Sequence, residues 1–144
     1  MTPMDDHQLW EAFGSGTLPE KDWTHQSHLR MAWLFSSRYA LDEAHVLMRV
    51  GIIRLNAAHG LVETAERGYH ETITRAWLVV VRALMKETRS ESSLAFVQAC
   101  CGRLDRHALL AHYSRERLGS VKARAHFVEP DISALPAICV AQGA

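Results

Sequence analysis

The chain has 144 residues, of which 48% are apolar, so it has material for one domain with a real core. Lys plus Arg and Asp plus Glu both number 16, which gives a formal net charge of zero. That balance argues against a nucleic-acid-binding protein and against a polybasic membrane-binding surface.

The opening residues, MTPMDDHQLWEAF, are acidic and interrupted, unlike a secretory signal. The longest apolar run, Ala76 to Val81, falls far short of the roughly 18 residues of a membrane span. Cys100, Cys101 and Cys139 show no CxxC spacing, and an odd count with two neighbours gives no disulfide framework. These features together predict a cytoplasmic protein with reduced thiols.

A first helix is predicted over Met4 to Phe13, stopped by Gly14-Ser15-Gly16. Thr24 is a good N-cap for a second, His25 to Tyr39, with His25, His28, Leu29, Ala32, Phe35, Ser36 and Tyr39 along its inner face. A third, Asp42 to Ala58, turns Leu41, Ala44, Met48, Ile52 and Leu55 inward and stops at His59-Gly60. A fourth, Tyr69 to Glu87, carries His70, Ile73, Thr74, Trp77, Val80, Val81 and Leu84 on one stripe. Ser92 to Cys101, Arg106 to Tyr113 and Arg115 to Phe127 read as short helices punctuated by Gly102 and Gly119. The last segment, EPDISALPAICVAQGA, reads as extended. No strand alternation occurs, so the class is all-α: one helical domain over 1–144, a bundle of about five to seven helices over residues 4–127 and a tail over 128–144.

Short connections make successive helices antiparallel. The starts of the second and fourth helices and the end of the third are therefore expected to share one pole. That pole would collect His25, His28, His59, His70 and Glu71. His25 and His28 are offset by roughly 4.5 Å along one helix face. With His70 opposite, they are the candidate ligands of a divalent metal such as zinc, iron or nickel, leaving a position for water or substrate. Glu71 lies about 100° around the helix from His70. It is the candidate proton acceptor for metal-bound water, or a partner that orients a histidine. Thr74, one turn on, is a candidate donor to the bound molecule. The reading is a metal-dependent enzyme acting on a small-molecule substrate.

Structural readings compete at each position. The histidines equally fit solvated or packed roles, with His25 against Trp23 or Tyr69. Glu71 and Arg75 fit a surface ion pair, and Thr74 fits a bond to a carbonyl of the preceding turn. Trp33 and Trp77 fit the core, His59 a cation at a helix end, and Ser114 an N-cap. His7, His45, His107 and His126 are expected at the surface, and Cys100 and Cys101 are expected to be buried and inert. If the histidines bind no metal, the same pocket becomes a non-catalytic site for a small ligand or anion, aided by two helix N-termini. A third reading is an accessory subunit that docks through Ile132 to Val140. No GxSxG, P-loop, GxGxxG, HExxH or EF-hand pattern is present; HETIT lacks the second histidine of HExxH.

WTHQSHLRMAW, GYHETITRAW and LLAHYSRERLGSVKARAHFVEPD, in that order, resemble a family of small bacterial proteins without an assigned activity. The resemblance spans nearly the whole chain. It singles out His25, His28, His70, Glu71, Thr74, Tyr113 and Ser114, and draws attention to Arg124, Pro130 and Asp131.

Overall fold

The computed structural model describes residues 2–136. Among them the chain is all-helical, with seven α-helices, two 3-10 turns and no strand. None of these helices is long and apolar enough to cross a membrane. Cys139 and the far end of the expected tail lie outside the described residues.

Local chemistry sets the boundaries. Helix α1 (Asp6–Ser15) opens on a reciprocal cap between Asp5 and Gln8 and closes on Gly16 at φ 73°. Helix α2 (His25–Arg38) starts at Thr24, as predicted, with Ser27 completing a capping box. Helix α3 (Leu41–Ala58) has Asp42 and Glu43 in its first turn and ends before Gly60, at φ 79°. Helix α4 (Glu71–Glu87) starts two residues later than predicted, because His70 caps it instead of lying within it. Ser92 caps α5 (Ser93–Ala99). The expected helix over Arg106 to Tyr113 contracts to a 3-10 turn, Ala108–Ala111. The last one divides at Gly119-Ser120 into α6 (Arg115–Leu118) and α7 (Val121–Ala125), capped by Ser114 and Ser120.

Helix α2 is the centre, packed by α1, α3, α4 and α5. The expected stripe residues Leu29, Ala32 and Phe35 are buried, but so are Met31, Leu34 and Arg30, because α1 and α5 cover what looked like an outer face. Tyr39, predicted inward, is exposed. Buried Arg30 ties three segments together: Nε donates to Ser93 Oγ at 2.7 Å, and Nη2 to Met4 O at 2.7 Å and Asp6 Oδ1 at 3.2 Å. Asp6 also receives the Ser93 amide and hydroxyl. A buried cation persists only with such partners.

The residues after α7 are strapped down. Buried Thr72 donates to His126 O at 2.9 Å and accepts from Val128 N at 3.1 Å. Tyr113 donates to Val128 O at 2.7 Å, and Asp131 receives both the amide and the hydroxyl of Ser114. Tyr113, Ser114 and Asp131 thus fasten the C-terminal segment to the helices.

Candidate functional site

His70 sits where α4 begins. As cap, its Nδ1 accepts from Ile73 N at 3.1 Å. Nε2 therefore carries the proton and donates to Leu118 O at 2.8 Å. Both nitrogens are used within the fold. Burial lowers the affinity of the ring for a second proton, the Leu118 carbonyl partly offsets this, and the Arg124 charge lowers it further.

His25 lies elsewhere. Its Nε2 is 2.8 Å from Leu104 O, and its ring packs edge-on to Trp77 at 5.3 Å, not to Trp23 or Tyr69. Trp77 is seven residues past His70 on α4, so the His25 ring packs beside a side chain about two turns on from the start of that helix. His28 packs against Trp23 at 5.4 Å, and its Nε2 is sealed from solvent with no hydrogen-bond partner among the described residues. Burial, with the neighbouring His25, lowers it to about 4. His59 holds Leu18 O at 2.8 Å, near the end of α1. The expected three-histidine set is thus dispersed. His25, His59 and His70 each hold a main-chain carbonyl, and among the described residues no group of three His, Cys, Asp or Glu is placed to hold a metal ion.

Glu71 faces α3, about 100° around α4 from His70. Oε1 accepts from the Tyr69 hydroxyl at 2.7 Å, His45 Nε2 at 3.1 Å and Arg49 Nε at 3.1 Å; Oε2 accepts from Arg49 Nη2 at 2.6 Å. Burial alone would raise the carboxyl, but hydrogen bonds from Arg49 and Tyr69 and the nearby His45 outweigh it, and the group titrates below the ordinary glutamate range. Glu71 does orient a histidine, but the histidine is His45. That residue was expected at the surface and is only 4% exposed. Its Nδ1 faces Arg75 Nη1 at 3.2 Å, so Nε2 carries the proton toward Glu71. The expected Glu71–Arg75 pair does not form; Arg75 pairs with Asp42 at 3.1 Å. Thr74 is buried beside the Tyr69 hydroxyl. This network joins α3 to α4 through hydrogen bonds that leave Glu71 little capacity to accept a further proton.

The opposite face of α4 meets open space. A groove of about 290 Å³ has an apolar floor of Ile73, Trp77, Leu109, Leu110 and Leu118. Its ionisable lining is His70, Arg106, His107, Arg115 and Arg124, and among the described residues no carboxylate lines it. Arg124 is braced by Gly68 O at 3.0 Å. Arg106 and Arg115 form no ion pair among the described residues. A second cavity of about 260 Å³, walled by Val80, Ala83, Leu84 and Ala108 with Glu87, Arg103 and His112 also lining it, shares Trp77 and Leu109 with the first. The resemblance drew attention to Arg124, but Arg106 and Arg115 were missed, because the first lies in a turn before Ala108–Ala111 and the second opens α6. The linear signal for Arg115 and Arg124 was the basic character of RERLGSVKAR.

No family model matches the chain, and no curated protein or solved structure matches it.

Proposed function

We propose that the groove beside His70 binds a small anion that carries an apolar body. One observation supports this reading above the others: in a chain of zero formal charge, every charged side chain lining the groove is basic. Arg106 and Arg115, without ion pairs among the described residues, present planar donor forks, which match the geometry of a carboxylate or phosphate. His70 stays neutral and shapes the wall. Trp77 and the apolar side of the adjoining cavity suit an aromatic or aliphatic body, and small-molecule sites combine an apolar lining with a few polar anchors in this way. Cys100 is buried as expected, whereas its neighbour Cys101 is exposed, and both thiols are free, which goes with a cytoplasmic setting. This is the binding-module reading, with the anion held by arginines in place of histidines.

The test uses phenyl phosphate, inorganic phosphate and phenol in calorimetric titrations. The reading expects phenyl phosphate to bind more tightly than either fragment and to lose affinity in Arg106→Gln/Arg115→Gln. Equal weak binding of phosphate and phenyl phosphate, or affinity unchanged in the double variant, would overturn it.

A further inference from the structure

Helix α3 buries Ala44, Met48, Ile52 and Leu55, and among the described residues nothing covers its opposite face. That face carries Val46 at 47%, Leu47 at 36%, Val50 at 47% and Ile53 at 38% exposure. Isolated exposed apolar side chains are ordinary, whereas a contiguous group on one helix face marks a contact surface. Glu43 and Arg54 bracket the group. Neither has an ion-pair partner among the described residues, and Arg54 commits one guanidinium nitrogen to Gly14 O.

The order of these residues is self-complementary. Glu43, Leu47, Val50 and Arg54 follow a four-three-four spacing, the seam along which two helices pair. Positions 43 and 54, and positions 47 and 50, are each symmetric about the same point, midway between residues 48 and 49. A two-fold axis at that point sets Leu47 against Val50 of a second copy and Glu43 against Arg54 of that copy, each twice. This is the pattern of an isologous interface. Parallel pairing would instead oppose Glu43 to Glu43 and Arg54 to Arg54, so the charges select the antiparallel arrangement.

We infer that this face of α3 docks a second copy of the chain, antiparallel, in the register that joins Glu43 to Arg54. The surface uses no residue of the basic groove, so it stands independently of the proposed ligand.

Sedimentation equilibrium of the full chain at high-micromolar concentration tests this, with circular dichroism reporting the fold. The wild type is expected to be a dimer and Val50→Glu a helical monomer. Glu43→Arg alone is expected to weaken dimerisation about tenfold or more, from like charges at two symmetric contacts. Glu43→Arg combined with Arg54→Glu is expected to restore it. A wild type that stays monomeric overturns the inference. So does a dimer that Val50→Glu leaves intact, or a double variant no tighter than Glu43→Arg.

Discussion

Replacing His28 with leucine is expected to stabilise the protein, and by more in mild acid than at neutral pH. The His28 Nε2 is sealed from solvent and unbonded, and an unmatched buried polar atom costs about 1–3 kcal/mol. Leucine is of similar volume and favours a helix. Burial first, and the charge of His25 second, lower His28 from 6.5 to about 4. Between those limits the unfolded chain binds a proton that the folded chain refuses, so stability falls as pH drops through that window. At about pH 5 this amounts to about 2 kcal/mol, at roughly 1.4 kcal/mol per pH unit below the unfolded value. His28→Leu removes that loss. Its advantage should therefore be about 1–2 kcal/mol near neutrality and larger by about 2 kcal/mol at about pH 5. Burial also lowers His45 and His70, but both are present in either protein and cancel in the comparison. Urea unfolding followed by tryptophan fluorescence at the two pH values measures the difference. An advantage that does not grow in acid, or a loss of stability at both values, would refute the reasoning.

Glu71→Gln is expected to cost about 2–3 kcal/mol in the same assay, since the amide nitrogen would meet the donors of Arg49 in place of an acceptor; a neutral result would contradict the role of Glu71 in joining α3 to α4. Gly51→Ala should destabilise by about 1–3 kcal/mol despite the better helix propensity of alanine, because a Cβ there would lie 2.1 Å from the buried ring of Phe13. A gain in stability on thermal melting would show that the ring yields. Ser114→Ala removes the α6 cap, worth about 1 kcal/mol, and the hydroxyl half of the Asp131 anchor, leaving only the bond from the residue 114 amide; limited proteolysis should then cut earlier in the segment after Val128.

Local signals in the sequence reported well on local structure. The Thr24 cap, the stops at Gly16 and Gly60 and the inner face of α3 follow from chemistry within a few residues, and the structure carries each of them. His70 was misplaced by one step, because histidine is not among the usual N-caps and its lone pair was read as a ligand. The pole of histidines failed for a reason no periodicity contains: tertiary packing sets His25 beside Trp77 and Leu104 and gives His70 to Leu118. His45 looked partnerless because its partners lie 24 to 30 residues away. Arg30 was unreadable in the same sense, since Ser93 is 63 residues distant. Tertiary pairing of polar groups, more than helix position, separates the structure from its linear reading. The basic groove is assembled wholly at that level.

Amide and indole NMR spectra recorded during titration with phenyl phosphate test the groove most directly. The account predicts that saturating shifts concentrate on the Trp77 indole and on the amides of Leu118, Gly119 and Arg124, and that they vanish in Arg106→Gln/Arg115→Gln. Saturating shifts that cluster around Glu71 and His45 instead, or that persist in the double variant, would contradict it.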